Sequence, residues 1–163
     1  MKRAFIVGNG PSLNETPLEL LNGEVTFATN SIHLIYPRTS WRPTYYWKTD
    51  HNPIQPELCM EGIRVHIELG IPLWLLDAYR DGFPDDDFLN KDTAFGPLEN
   101  VTWITRCKQH HFYSSGNSKA MRAWHLPDIC TAHNSVSGMM QLAVILGYGP
   151  LYLIGCDAGY VDD

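Results

Sequence analysis

A chain of 163 residues and 18.5 kDa has the size of a single domain, and a domain of that size buries roughly 70% of its unfolded surface. Apolar residues at 44% against charged residues at 18% exclude a disordered chain. Lysine plus arginine at 12 against aspartate plus glutamate at 18 gives a net charge of −6, which excludes a sequence-independent nucleic-acid binder but leaves open a small anion held by backbone N–H groups.

Residues 4–7 (Ala-Phe-Ile-Val) form a continuous apolar run ending at Gly8, the pattern of a strand buried on both faces of a parallel sheet. Gly8-Asn9-Gly10-Pro11-Ser12-Leu13 follows as a turn. Thr16-Pro17-Leu18-Glu19 predicts a helix start with Thr16 as N-cap, ended by Gly23. Val25–Thr29 reads as a second strand ending at Asn30-Ser31, and Ile32, Leu34 and Ile35 predict a short helix stopped before Pro37. Pro43–Asp50 reads as a third, aromatic-rich strand with Asp50 at its end; Tyr45, Tyr46 and Trp47 alternate across its two faces, which makes core packing their default role.

Ile71–Leu76 and Val101–Ile104 predict further strands, and the acidic segment from Asp81 to Pro97 predicts a loop. Residues 106–133 hold four of the seven histidines among small polar residues, and predict a long functional loop or lid. Ser135–Leu146 predicts a helix with Met139, Leu142, Ala143 and Leu146 at 3/4 spacing and Gly147 as its stop. Leu151–Ile154 predicts a buried strand ending at Gly155-Cys156-Asp157. Strands alternating with helices give an α/β class, a Rossmann-like three-layer sandwich with a mainly parallel sheet, over a single domain 1–163.

The four cysteines (Cys59, Cys107, Cys130, Cys156) are widely spaced without a Cys-x-x-Cys pair, so no disulfide framework is expected. The apolar run after Met1-Lys2-Arg3 is too short for a signal peptide, and the stretch from Met139 to Tyr148 falls short of the roughly 20 residues that span a bilayer. A cytoplasmic protein without a transmembrane segment is expected; the oligomeric state stays open.

Ligands of open parallel sheets bind beyond the carboxyl ends of the strands. Four polar clusters fall at such ends: Gly8-Asn9-Gly10, Asn30-Ser31, Asp50 and Gly155-Cys156-Asp157. The first is not a dinucleotide fingerprint, since Leu13 stands where the third glycine would be, and no Gly-Lys-Ser/Thr makes it a phosphate-cradling P-loop. Gly8 and Gly10 would still let a ligand approach the backbone closely, with Asn9 and Ser12 offering hydrogen bonds. Asp85-Asp86-Asp87 reads as a charged turn rather than a metal site, and Asn134–Gly138 lacks the first glycine of a hydrolase elbow.

Ile6-Val7-Gly8-Asn9-Gly10-Pro11-Ser12-Leu13 resembles the N-terminal motif of the bacterial sialyltransferases of glycosyltransferase family 42, and of a related group that includes archaeal 6-hydroxymethylpterin diphosphokinases. The pattern continues through Ala28-Thr29-Asn30 and Pro43–Asp50, and returns at Asn134-Ser135, Leu146-Gly147-Tyr148 and Leu151–Asp157, leaving about 55 to 130 unmatched. The resemblance implies a nucleotide-binding α/β transferase that uses a CMP-sugar donor as substrate and no firm cofactor. Under the diphosphokinase alternative the donor is ATP with Mg²⁺; a third alternative is a catalytically silent nucleotide-binding domain.

The implied nucleotide-binding residues are Asn9, Gly10, Asn30 and Ser135, with Tyr160 toward the donor phosphate; Gly8, Ser12, Asp50 and Asp157 complete the rim of strand ends. The family's base is a histidine beyond the Gly-x-Asp strand. This chain ends at Asp163, six residues past Asp157, so that histidine has no counterpart and a fragment of a longer protein is expected. Of the histidines present (His33, His51, His66, His110, His111, His125, His133), His133, next to Asn134-Ser135, is the best placed by sequence for general-base work.

Overall fold

The computed structural model describes residues 1–49, 56–82, 95–106, 124–126, 128–129 and 134–157. The strands are β1 (Ala4–Val7), β2 (Val25–Thr29), β3 (Tyr45–Lys48), β4 (Leu73–Leu76), β5 (Val101–Arg106), β6 (Trp124–His125), β7 (Asp128–Ile129) and β8 (Leu151–Ile154); the α-helices are α1 (Pro56–Glu68), α2 (Ala78–Asp81) and α3 (Ser135–Ile145). Their order in one sheet is β6-β7-β5-β4-β3-β2-β1-β8, with every pairing parallel except β6 with β7.

The connections explain the two cores. From β1 to β5 each strand is laid beside the last, and the described parts of the intervening segments cover one face: Leu13, Leu18, Leu21, Ile32, Met60 and Ile63 close over Val7, Ala28, Tyr46 and Leu75. The chain then returns to the opposite side of β1, so a right-handed crossover must carry α3 over the other face. There Met139, Leu142 and Ala143 meet Ile6, Phe27, Trp47 and Trp74. The result is the expected α/β three-layer arrangement. Tyr46 enters the first core and Trp47 the second, as their alternation predicts.

Several local expectations are corrected. Thr16 does not cap an α-helix: its hydroxyl donates to the Ser12 carbonyl at 3.0 Å, and two 3₁₀ turns, Pro11–Glu15 and Leu18–Leu21, replace the helix. The turn read at Ile32–Ile35 is likewise 3₁₀ and runs through Pro37 to Arg38, because proline's φ suits a 3₁₀ turn and forfeits only its own N–H bond. Helix α1 falls in a segment the sequence left unassigned, and Asp81 ends α2 rather than opening a loop. Strand β8 is the sheet edge rather than a buried strand, with Tyr152 and Leu153 about half exposed. Within the segment read as a lid, Arg106 belongs to β5 and β6 and β7 extend the sheet; the rest of it, and the acidic 85–87 run, lie outside the described residues. Among the described residues no helix is long and apolar enough to cross a membrane.

Candidate functional site

The reversal of strand order at β1 creates the crevice. Val7 sits opposite both Ala28 and Ile154, so the loops leaving β8, β1 and β2 emerge side by side. The chain heads to one face after β1 and arrives from the other face before β8, which opens a gap at the strand ends. A cleft of about 500 Å³ occupies this place, lined by Asn9, Gly10, Asn30, Ser135, Gly155 and Asp157 with their neighbours. Its volume is within the roughly 300–1,000 Å³ of small-molecule sites.

Asn9 and Asn30 are fixed by the frame. Asn9 Nδ2 donates to the Thr29 carbonyl at 3.0 Å, which leaves its Oδ1 without a partner among the described residues. Asn30 has φ +53°, and among the described residues is the one non-glycine in left-handed backbone, a conformation asparagine tolerates better than most residues. Its carbonyl accepts from Tyr46 Oη at 2.9 Å and its Oδ1 from Lys48 Nζ at 2.9 Å. Because an ammonium only donates, Lys48 fixes which end of the amide is oxygen. The Asn30 Nδ2 hydrogens are left without a partner among the described residues. The two asparagines therefore give the cleft one open acceptor and one open donor pair.

On the third wall stands the start of α3. Asn134 Oδ1 accepts from Val136 N at 2.8 Å as an N-cap, and Asn134, Ser135 and Val136 all line the cleft. A helix N-terminus there contributes N–H groups and the positive end of the helix dipole.

The glycines of the first loop also serve the frame. A Cβ on Gly8 would lie 2.3 Å from the Gly155 carbonyl oxygen, and one on Gly10 would lie 2.3 Å from Asp157 Oδ2. Gly8 N and Gly10 N donate at 2.8 Å to the Ile154 and Gly155 carbonyls, so the loops after β1 and β8 are laced together. Asp157 completes the lacing: Ser12 N donates to its Oδ2 at 2.9 Å and Ser12 Oγ to its Oδ1 at 2.6 Å. These bonds hold its carboxyl below the usual range. With both oxygens engaged, Ser12 and Asp157 form a clasp between the two loops.

A lowered carboxylate pKa favours the fold only while the group is ionised. Asp157→Ala is expected to lower Tm at pH 7, and the gap to the native protein to close as pH falls below the ordinary value of 3.8. Melting curves from pH 7 to 3 measure this.

Three of the residues expected at the site, Asp50, His133 and Tyr160, lie outside the described residues. His33 and His66 are buried under the first core face and do not line the cleft. The sequence reading missed Lys48 and Tyr46 behind Asn30, Thr29 behind Asn9, and Asn134 at the helix start. A lysine ending an otherwise apolar strand, and an asparagine directly before a helical run, were the signals available.

No family model matches the chain, and no curated protein matches it. Among solved structures it superposes on the MAf glycosyltransferase from Magnetospirillum magneticum AMB-1 with a TM-score of 0.58 at 19% identity, covering 99% of this chain and 23% of that one. The two share an α/β architecture over that stretch. The chain thus spans under a quarter of that enzyme's length. At this identity the likeness speaks for the architecture, and the chemistry rests on the cleft.

Proposed function

We propose that the cleft binds the nucleotide of a nucleotide-sugar donor, a CMP-sugar as in the sialyltransferases, and that the chain serves glycosyl transfer. The carrying observation is that Asn9, Gly10, Asn30 and Ser135, from three separate chain segments, line one cleft beyond the strand ends. A pyrimidine edge offers both donors and acceptors, which the Asn30 amide hydrogens and Asn9 Oδ1 complement. Among the described residues lining the cleft there is no lysine or arginine, and the Asp157 carboxylate stands among them. One phosphate facing a helix N-terminus suits such a wall better than the several charges of ATP.

In the transfer itself an acceptor hydroxyl oxygen bonds to the anomeric carbon as that carbon's bond to the nucleotide phosphate oxygen breaks. A base removes the hydroxyl proton, the role proposed for His133.

Thermal shifts with CMP, UDP, ATP and a pterin, each with and without Mg²⁺, test the reading. CMP at ten times its Kd is expected to stabilise by about 1.4 kcal/mol, or about 3–6 °C in Tm, without metal. Asn30→Asp keeps an acceptor for Lys48 but removes the amide donors, and is expected to weaken CMP binding at least ~10-fold, the scale of a lost hydrogen bond in a desolvated site. A shift by ATP with Mg²⁺ alone would replace the reading with pyrophosphoryl transfer. No nucleotide shift at millimolar concentration would sink both.

A further inference from the structure

A second cavity, of about 210 Å³, lies across the Asn9–Gly10 loop and shares those two residues alone with the cleft. Leu13 of the first 3₁₀ turn and Ile32, Leu34 and Ile35 of the third give it an apolar lining. Leu34 is 57% exposed, so part of this surface faces water.

Arg38 joins the lining, and its guanidinium is held in place. Nη1 donates to Asn14 Oδ1 at 2.8 Å and Nη2 to the Asn14 carbonyl at 3.3 Å. Both acceptors are neutral, and among the described residues no carboxylate pairs with Arg38. That stands out in a chain with 18 acidic residues to 12 basic ones. Two of the five guanidinium donors are used to fix the group, and the remainder are left without a protein partner among the described residues. An immobilised fork beside an apolar hollow complements a carboxylate carried on a short branched apolar body.

We propose that this cavity is a binding site for a small amphipathic carboxylate, with Arg38 taking the oxyanion and Leu13, Ile32, Leu34 and Ile35 the apolar end. The site stands independently of the nucleotide reading. With both ligands bound, Asn9 and Gly10 form the wall between them.

The test titrates 4-methylpentanoate, and separately its uncharged amide, into methyl-labelled protein followed by NMR. The carboxylate is expected to shift the Leu13, Ile32, Leu34 and Ile35 methyls saturably, with the amide at least ten-fold weaker. Arg38→Gln is expected to weaken the carboxylate at least ten-fold and leave the amide unchanged, and Leu34→Glu to weaken both. Equal binding of acid and amide, equal binding by Arg38→Gln and native protein, or no saturable shift at these methyls would overturn the proposal. CMP, followed at Asn134–Val136 signals in the same samples, reports separately on the cleft.

Discussion

Gly8→Ala is expected to destabilise the protein by about 3 kcal/mol, at the upper end of overpacking costs, and to lower Tm by about 6–12 °C. The new Cβ would stand 2.3 Å from the Gly155 carbonyl oxygen, 3.0 Å from its carbon and 3.1 Å from Cys156 Sγ. The first two are backbone atoms, and the Gly8 N–H is bonded to the neighbouring Ile154 carbonyl. Relief therefore requires β1 and β8 to separate where their loops diverge, not merely a side chain to turn. Gly10→Ala meets Asp157 Oδ2 first, and that side chain can swing away at the loss of its bonds to Ser12; the backbone contact that remains, 2.9 Å to the Gly155 carbonyl oxygen, is milder than that of Gly8→Ala, so its cost is expected to be smaller.

Gly23→Ala is the control. It meets nothing within 4 Å but sits at φ +84°, so it reports left-handed backbone strain alone, about 1 kcal/mol. Denaturant unfolding of the three variants ranks them Gly8, Gly10, Gly23. A Gly8→Ala protein within 1 kcal/mol of native would show that the two loops are not locked together. Because those loops form two walls of the cleft, ligand affinity is expected to fall with stability in Gly8→Ala and to be unaffected in Gly23→Ala.

What could be read from the sequence follows from which constraints are local. Ala4–Val7 and Leu73–Leu76 are apolar throughout because both faces of their strands are covered, and a buried parallel strand needs no partner to be recognised. The convergence of Asn9, Asn30 and Ser135 was legible too, since each lies just past a strand or opens a helix and the parallel topology sends those points to one end. Helix α1 was concealed by Gly62 in its middle, a residue that disfavours a helix interior. Gly62 is there for a long-range reason: a Cβ would stand 2.9 Å from Tyr46 Oη and 3.1 Å from the Asn30 carbonyl, crowding the bond that holds Asn30. The close packing of Gly8 and Gly10 against the loop after β8 was not legible for the same reason, as those neighbours are some 145 residues away. The apolar run of β8 looks like that of an interior strand, yet composition alone does not say whether a strand has one neighbour or two.

Acid is expected to weaken the fold through His66, well before the carboxylates titrate. This side chain lies in α1 with no exposed surface, under the ring of Tyr46 at a centroid distance of 3.8 Å. The Gly62 carbonyl can only accept, so the 2.6 Å contact makes Nδ1 the protonated nitrogen, and Nε2 accepts from Tyr36 Oη at 2.6 Å. The neutral ring is thereby satisfied on both sides. Burial disfavours its charged form and pushes its pKa from 6.5 down to about 4, outweighing the Gly62 bond.

The unfolded chain binds a proton near pH 6.5 that the folded one refuses until about pH 4. Stability is therefore whole above 6.5 and falls through that window, at most ~1.4 kcal/mol per pH unit and about 3 kcal/mol in all. His33, also buried and lowered chiefly by burial, acts in the same direction. His66→Gln keeps an acceptor and a donor without titrating near neutrality. It is expected to start less stable at pH 7 and to show a markedly flatter loss between pH 6.5 and 4 in denaturant midpoints. Parallel profiles for the two proteins would mean that His66 takes its proton as readily in the folded state as in the unfolded chain. The Tyr46 ring that stacks on His66 also carries the hydroxyl bonded to the Asn30 carbonyl. In the folded protein the ring takes its charge only near pH 4, so the support of the cleft from behind is expected to loosen there and not across the window above it.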